Sequence, residues 1–186
     1  MYKDESIEKY MNDLAAKLPA PGGGSAAAMS AALGASLISM VVNFTIGKPK
    51  YAQYEAELKV ILENSEALRK EFTNLVDLDV QAYQSKNLRN SLDVPFMVCR
   101  LCHEGIKLCP ALITKGNINL ISDVAVAAVL LEAAFACAYF NVEINLKLIG
   151  DKELSGTVRK ELDDKEGTIR KIRQETEEKI GKVIRG

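Results

Sequence analysis

The chain has 186 residues, 48% hydrophobic and 26% charged, which is the composition of a folded globular protein rather than of a disordered one. Its 24 Lys and Arg nearly balance its 25 Asp and Glu, it has no Trp, and only 6% of its residues are aromatic. A near-neutral chain with few stacking side chains is a poor nucleic-acid binder, so no nucleic-acid partner is expected.

The sequence predicts about six helices and almost no strand, and therefore an all-α helical bundle forming one domain over residues 1–186. The first helix is expected over residues 4–18, where apolar residues recur at steps of three and four. Prolines and glycines end this helix. Ser25 is expected to cap a second helix over residues 26–46.

A third helix is predicted over residues 50–85, followed by a polar linker. Asp93 is expected to cap a fourth helix that carries Pro95 in its first turn and bends near Pro110. Ser122 is expected to cap a fifth helix that reaches about residue 149.

The last segment, residues 151–186, is predicted to be a charged C-terminal helix with a narrow apolar seam. Such a helix either lies across the bundle or pairs with a partner chain. The second and fifth helices, in contrast, are apolar nearly all round and must be enclosed on every side. Because a bundle of this size can surround only one of them, we expect the second helix to need cover from another subunit, in a homodimer or larger homo-oligomer.

Residues 18–47 carry no charge, a length that could span a membrane. Small and polar residues are scattered through this stretch and suit close helix packing better than a lipid environment, so no membrane partner is expected. The N-terminus lacks the apolar run of a signal peptide, which predicts a cytoplasmic protein with reduced cysteines.

The most conspicuous motif is Pro-Ala-Pro-Gly-Gly-Gly-Ser, residues 19–25. Gly22, Gly23 and Gly24 allow backbone N–H groups to approach a ligand closely, and a helix N-terminus presents unpaired donors with partial positive charge. We favour a cradle for an anion or polar ligand that also includes Ser25. The alternative is a tight corner between helices that only glycine can form.

Asp79 follows Phe72 by one heptad on the inner face predicted for the third helix. A carboxylate in that position loses water, and its pKa rises toward the range that a general acid or base needs. The alternative is a buried acid that pairs with a lysine or caps a neighbouring helix.

Four further polar residues lie in or near the apolar fifth helix: Asn117, Asp123, Asn141 and Asn145. The amides need hydrogen-bond partners, so they either bond across helices or recognise a polar heterocycle. Asp123 lies in the first helical turn, where the helix dipole stabilises a negative charge and where it has an ordinary helix-terminus role.

Cysteine and histidine between residues 99 and 109 superficially match haem and zinc patterns. Cys99 and Cys109 would lie about 15 Å apart along one helix, too far to close a tetrahedron. We therefore expect buried free thiols and no metal.

Three stretches in combination resemble the cyclodeaminase/cyclohydrolase family, which comprises the C-terminal domain of formiminotransferase-cyclodeaminase and stand-alone bacterial methenyltetrahydrofolate cyclohydrolases. The stretches are residues 19–51, PAPGGGSAAAMSAALGASLISMVVNFTIGKPKY, residues 75–83, LVDLDVQAY, and residues 116–146, GNINLISDVAVAAVLLEAAFACAYFNVEINL. The resemblance implies an all-α, dimer-forming fold with a cleft for tetrahydrofolate derivatives near the subunit interface.

The resemblance also implies a one-carbon folate enzyme acting at the N5/N10 bridge of tetrahydrofolate. The favoured reaction is hydrolysis of 5,10-methenyltetrahydrofolate to 10-formyltetrahydrofolate, since the deaminase is commonly fused to a transferase. The alternatives are a formimidoyltetrahydrofolate cyclodeaminase that releases ammonia and a non-catalytic folate-binding helical protein. In each case the tetrahydrofolate derivative is the small-molecule ligand, and neither reaction needs a metal or prosthetic group.

Residue roles follow from the resemblance as hypotheses. Asp79 or Asp123 would accept a proton from water, and Lys50 or Tyr51 would bind the folate glutamate tail or donate a proton. The glycine cradle would take a carboxylate or a polar pterin edge. The amides expected to bind folate are Asn117, Asn141 and Asn145.

Overall fold

Seven α-helices and three short 3-10 segments form the fold of the computed structural model, which describes residues 1–186 and contains no strand. The helices are α1 (Ile7–Ala15), α2 (Gly23–Asn43), α3 (Glu55–Ser85), α4 (Leu88–Ile106), α5 (Cys109–Lys115), α6 (Ile121–Ile149) and α7 (Lys152–Arg185). The 3-10 segments are Tyr2–Asp4, Pro49–Tyr54 and Ile118–Leu120. The expected all-α bundle is confirmed.

Helix α2 is the centre of the bundle and packs mainly against α3 and α6, with α4 beside it. It runs antiparallel to α6, since its start lies near Asn141 and its middle near Leu131. Gly34 makes this close contact possible, because a Cβ there would lie 2.9 Å from Leu131 and 3.2 Å from the Ala127 carbonyl oxygen. The alanine-rich sequence therefore forms a helix that two neighbours can approach closely.

Helix α6 is packed by α2, α4 and α7 on three sides only. Its fourth side is an apolar strip exposed to solvent, which we call the open face of α6: Val126, Val129, Ala133, Cys137, Phe140, Ile144 and Leu148. By length and composition, both α2 and α6 are apolar enough to cross a membrane, but most of α2 is buried in its own bundle. The monomer thus buries more of α2 than of α6, so the helix left more open is α6 and not α2, the helix for which the sequence analysis expected cover from another subunit.

Helix α7 lies across the bundle and buries its apolar seam against α4, α5 and α6, which confirms the first of the two alternatives for this helix. The buried residues of the seam are Val158, Leu162, Ile169, Thr176 and Ile180. Ion pairs at the edges of the seam join Arg173 to Glu132 and Arg159 to Glu143. Glu132, the charge within the apolar stretch of α6, is therefore neutralised by α7.

Several helix starts differ from the sequence predictions. Gly22 caps α2 with extended backbone, so Ser25 is not its cap but a residue of its first turn. Leu120, rather than Ser122, precedes α6 after a 3-10 turn. Helix α1 is short and begins after Ser6, whose hydroxyl accepts a hydrogen bond from the Lys9 amide.

The predicted polar linker before α4 is mostly helix. Only Lys86, in the left-handed conformation, and Asn87 separate α3 from α4, and the Asn87 side chain caps α4 by accepting from the Arg89 and Asn90 amides. Asp93 is therefore not the cap, and Pro95 lies inside the helix instead of in its first turn. The predicted bend before Pro110 is present, since α4 ends at Ile106 and α5 begins at Cys109.

Pro95 removes the hydrogen bond that the Ser91 carbonyl oxygen would otherwise accept within α4, because proline has no N–H. The Asn145 side chain of α6 replaces it: its Nδ2 donates to the Ser91 carbonyl oxygen at 2.8 Å. The same Nδ2 donates to the Asn141 carbonyl oxygen, also at 2.8 Å. Asn145 therefore joins α6 to α4 at the position that the proline leaves unpaired.

This pairing predicts that Asn145→Ala lowers the free energy of unfolding by about 1–3 kcal/mol, the cost of a buried carbonyl without a partner. In a Pro95→Ala background, the backbone regains an N–H at this position that can bond to the Ser91 carbonyl oxygen, and the same substitution should cost less than half as much. Urea denaturation of the two single variants and the double variant measures this coupling. Equal losses of unfolding free energy in both backgrounds would show that Asn145 does not compensate for the hydrogen bond that Pro95 removes.

Candidate active site

The start of α2 and the carboxylate of Asp79 form one unit. The Ser25 backbone N–H donates to Asp79 Oδ2 at 2.9 Å. A Cβ at Gly24 would overlap the same carboxylate, so glycine is required there for Asp79 to approach the helix end. Asp79 therefore acts on α2 as a capping carboxylate supplied by another helix.

This arrangement differs from the open cradle predicted from the three glycines. The amide of Ser25 is already engaged by Asp79, and the space beside Gly24 is filled by the same side chain. At these two positions the close approach of two helices explains the motif, and an external anion has no place. Gly22 and Gly23 stand apart from this contact, and Gly23 lies at the surface.

Burial raises the pKa of Asp79 above its ordinary value, and the hydrogen bond from the Ser25 amide partly opposes this shift. Helix α2 contributes no charged side chain over its whole length, so no cation offsets the loss of water. The inward position and the direction of the pKa shift are as predicted, and the contact with the start of α2 is the helix cap that the sequence analysis gave as the alternative role. A half-buried carboxylate of this kind is suited to accepting a proton, and its role in a reaction stays a prediction.

Asn141 lies across the mouth of the glycine corner. A Cβ on Gly23 would lie 3.4 Å from Asn141 Nδ2, which donates to the Cys137 carbonyl oxygen at 2.9 Å. The sequence analysis gave two alternatives for the amides, bonding across helices or binding a ligand. Asn145 bonds across helices, because its side chain donates to the Ser91 carbonyl oxygen of α4. Asn141 bonds only within its own helix and remains a candidate for ligand binding.

A second group of predicted site residues lies at the other end of α2. The Asn117 N–H donates to Thr45 Oγ1 at 2.9 Å, and Asn117 Nδ2 donates to the Phe44 carbonyl oxygen at 3.3 Å. The Tyr51 hydroxyl accepts from the Ile118 N–H at 3.1 Å. Asn117 and Tyr51 are both buried and hold the loop before α6 against the end of α2.

Lys50 and Asp123 lie in the same region. Lys50 is exposed, with its Nζ 5.4 Å from the centre of the Tyr51 ring. Asp123 is half-buried in the first turn of α6, as predicted. Both side chains flank the loop that Asn117 anchors.

The predicted site residues thus form two clusters. Cluster one, at the start of α2, contains Gly22, Gly23, Gly24, Ser25, Asp79, Asn141 and Asn145. Cluster two, at the end of α2, contains Lys50, Tyr51, Asn117 and Asp123. The 21 residues of α2 separate them by about 30 Å, so one cleft within one protomer cannot contain both.

Three residues that the sequence analysis did not single out belong to these clusters. Thr45 anchors Asn117, Tyr10 contacts Ser25, and Asp77 binds the N-terminal segment that packs against Tyr10. Tyr10 belongs to the apolar stripe of α1, and Asp77 precedes Asp79 by two residues. Their positions in the sequence do not distinguish Tyr10 and Asp77 from ordinary helix residues. Their tertiary contacts do.

The cysteines agree with the prediction of free thiols, of which three are buried. Cys99, Cys102 and Cys109 lie in the core, and burial raises the pKa of each thiol, that of Cys109 to about 12. Cys137, on the open face of α6, is exposed. His103 Nδ1 contacts its neighbour Glu104 at 3.0 Å. The buried thiols are packing residues, because a raised pKa keeps them protonated.

A family model described as formiminotransferase-cyclodeaminase matches residues 6–87 and 84–164. The chain belongs to this family. The match includes both clusters and leaves out only residues 1–5 and 165–186. The family expected from the glycine motif and the Asn117 loop is therefore confirmed.

Two relatives and one solved structure illustrate the range of the family. The methenyltetrahydrofolate cyclohydrolase of Methylorubrum extorquens is 40% identical, over 88% of this chain and 89% of that protein. The formimidoyltransferase-cyclodeaminase of Rattus norvegicus is 31% identical over 80% of this chain, which corresponds to 32% of that longer protein. The crystal structure of formiminotetrahydrofolate cyclodeaminase from Thermotoga maritima has a TM-score of 0.93 and 28% identity, covering 99% of this chain and 100% of that one.

The contact between Gly24 and Asp79 predicts a specific coupling. Gly24→Ala should lower the free energy of unfolding by about 1–3 kcal/mol, because the added methyl group displaces the carboxylate. In an Asp79→Ala background the overlap is gone, and the cost should disappear. Gly22→Ala is the matched control, since nothing lies within 4 Å of a Cβ there. Thermal unfolding of these variants measures the coupling, and an equal cost in both backgrounds would contradict it.

Proposed function

We propose that this protein is a methenyltetrahydrofolate cyclohydrolase that converts 5,10-methenyltetrahydrofolate to 10-formyltetrahydrofolate. The observation that carries the proposal is the half-buried Asp79 carboxylate, with a raised pKa, beside Gly24 at the helix start where Asn141 approaches the preceding Gly23. The relative from Methylorubrum extorquens, which bears this activity in its name and aligns over nearly the whole chain, supports the choice of reaction. The proposal includes no prosthetic group, and it retains the cytoplasmic location predicted from the sequence.

In the proposed reaction, Asp79 takes a proton from water while the water oxygen forms a bond to the cationic amidinium carbon between N5 and N10. As the bond from the resulting tetrahedral carbon to N5 breaks, Asp79 returns its proton to N5 and the hydroxyl group loses its remaining proton to solvent, which leaves the formyl group on N10. The buried carboxylate suits the first step because its raised pKa brings it nearer to neutrality. The neighbouring amide of Asn141 would hydrogen-bond the folate.

The second candidate is a cyclodeaminase, in which N10 of 5-formimidoyltetrahydrofolate attacks the formimino carbon and ammonia leaves. The close structural match to the Thermotoga maritima protein favours this candidate. A side-by-side assay of both substrates decides between them: the hydrolase consumes the near-ultraviolet absorbance of the methenyl compound, and the deaminase releases ammonia. Folate binding without either turnover would identify the third candidate, a non-catalytic binding protein.

Asp79→Asn should lower kcat for the preferred substrate by at least about 100-fold, the contribution expected of a general base. Turnover is measured as the change in substrate absorbance above the spontaneous rate. Asp93→Asn is the control, because Asp93 is an exposed aspartate paired with Arg89 and should keep activity within twofold. Turnover by Asp79→Asn within twofold of the unmodified protein would remove Asp79 as the base.

Stability provides a check that Asp79→Asn is folded. Because the pKa of Asp79 is raised in the fold, the folded state binds this proton more tightly than the unfolded chain. Stability is therefore lost as pH rises from the ordinary pKa of aspartate through the raised one. The asparagine variant lacks this loss, and we expect it to be at least as stable as the unmodified protein at pH 7.

We further propose that the functional unit is a homodimer joined through the open face of α6. This face extends from Val126 to Leu148, about 33 Å along the helix, and its exposed side chains are almost all uncharged. A continuous apolar strip of this size is typical of an interaction surface. A second copy of the chain offers the same strip, which is self-complementary about a two-fold axis.

The dimer also resolves the separation of the two clusters. Asp123 and Asn141 are 18 residues apart on α6, five full turns, and so lie on the same flank of the open face. If two α6 helices pack antiparallel about an axis near their middle, cluster two of the partner comes beside cluster one. Each active site then combines Asp79 with Lys50 of the partner subunit, a cation that would bind the folate glutamate tail.

The shared site predicts complementation. Asp79→Asn and Lys50→Ala homodimers should each lose most of their activity. A 1:1 mixture that exchanges subunits should recover about a quarter of full activity, because half of the dimers are mixed and each has one intact site. Steady-state turnover before and after subunit exchange measures the recovery.

The control for this experiment tests the interface. Ile144→Lys, added to both variants, should give monomers by light scattering and abolish the recovery. Val60→Lys places the same charge on another exposed apolar position, on α3, and should leave the dimer intact. No recovery between dimers that do exchange subunits would place each active site within one protomer.

A further inference from the structure

Helix α1 buries one residue only, Tyr10, which is 2% exposed. Of the other large apolar residues of its stripe, Leu14 is partly buried, while Ile7 is 75% and Met11 52% exposed. Hydrophobic burial of this segment is therefore limited, and it does not by itself fix how the segment lies on the bundle. What holds it is a set of specific contacts made by Tyr10 and by the residues before the helix.

The Tyr10 hydroxyl lies 3.1 Å from Ser25 Oγ, and the direction of this hydrogen bond can be assigned. Ser25 Oγ donates its single hydrogen to the Val76 carbonyl oxygen at 3.0 Å. Tyr10 must then be the donor to Ser25. Ser25 is consequently fixed by Tyr10, by Val76 and by the bond from its own N–H to Asp79, three contacts that join α1, α2 and α3.

Asp77 closes the same assembly from the other side of α3. Its carboxylate is only 3% exposed and accepts hydrogen bonds from the Tyr2 N–H at 2.6 Å and the Lys3 N–H at 3.3 Å. Tyr2 in turn packs edge-on against Tyr10, with ring centres 5.3 Å apart, and its hydroxyl bonds to Asp13. A buried carboxylate that binds two backbone amides is a strong attachment for the chain segment.

We propose that residues 2–15 form a brace that positions the Asp79 carboxylate through Ser25, with Tyr10 and Asp77 as its positioning residues. Neither residue contacts the proposed reacting atoms. Tyr10 fixes the serine whose amide holds Asp79, and Asp77 fixes the segment that holds Tyr10. The inference rests on the proposed function for its effect on turnover, but the position and titration of Asp79 are properties of the protein alone.

Few other charges surround Asp79. Helix α2 contributes no titratable side chain, and α6 contributes the neutral Asn141. On α1 the nearest group is Tyr10, whose own pKa is raised mainly by burial and also by the charge of Asp79. On α3, Asp77 is turned to the N-terminal amides. The hydrogen bond from the Ser25 amide is therefore the main contact that favours the charged form of Asp79.

Tyr10→Phe is the decisive variant, because it removes one hydroxyl group and keeps the buried ring. Looser positioning of Ser25 weakens its bond to Asp79, so the pKa of Asp79 should rise. A 13C titration of aspartate-labelled protein measures this pKa, with the Asp79 signal identified by its absence in Asp79→Asn. For turnover, kcat should fall about three- to tenfold, the effect of one hydrogen bond, with KM within twofold.

Tyr139→Phe is the matched control, since Tyr139 is a partly buried tyrosine whose hydroxyl bonds to Asp163 between α6 and α7, on nearly the opposite side of α6 from Asn141. It should leave the titration of Asp79 and the kcat unchanged. Asp77→Asn, which keeps one acceptor oxygen for the N-terminal amides, should shift the titration of Asp79 in the same direction as Tyr10→Phe.

A folded Tyr10→Phe variant in which the pKa of Asp79 is unchanged would overturn the brace. Lower stability of that variant would not rescue the proposal, because a purely structural contact also lowers stability when it is removed. An unchanged pKa of Asp79 in the Asp77→Asn variant would show that Asp77 is not part of the brace. Absence of turnover in the unmodified protein with both folate substrates would instead overturn the proposed function, and the titration would still decide the brace.

Discussion

The bond between the Ser25 amide and the Asp79 carboxylate is the contact on which the candidate site depends. Two opposing effects meet at this carboxylate. Burial disfavours its charge, while a backbone amide at a helix N-terminus favours it. The balance leaves a carboxyl group with a raised pKa that is nonetheless held in one position. Gly24 is the condition for this arrangement, since any larger residue would displace the carboxylate.

Small residues, which allow the contact at Gly24, also determine how the helices of the bundle pack. Most of helix α2 can be buried because alanines and Gly34 allow α3 and α6 to approach it closely. Enclosing α2 uses the inner side of α6, and α7 covers a second side, so the open face of α6 remains without neighbours in the monomer. Because α2 and α6 run antiparallel, this face connects the two clusters. The packing of the core and the proposed assembly of the site thus have a common origin.

Sequence periodicity predicted the helices and the inward position of Asp79, because both follow from local spacing along one helix. It failed where a distant residue satisfies a local need. Ser25 was predicted to cap α2, but the cap interaction comes from Asp79, 54 residues away. Pro95 was predicted near a helix start, but Asn145 of α6 pairs the carbonyl that the proline leaves free. Neither partner is identifiable before the helices are packed.

The separation of the two clusters could not be predicted for the same reason, since it depends on how distant helices pack. A resemblance to a family identifies residues, but it does not say which ends of the helices meet. Asp77 and Asp79 show this within one helical turn, because each binds a different part of the chain. They are two residues apart, so their side chains point to nearly opposite sides of α3. One binds the amides of the N-terminal segment and the other the amide of α2. A single turn of α3 therefore joins the structural anchor to the proposed base, and any shift of this turn moves both.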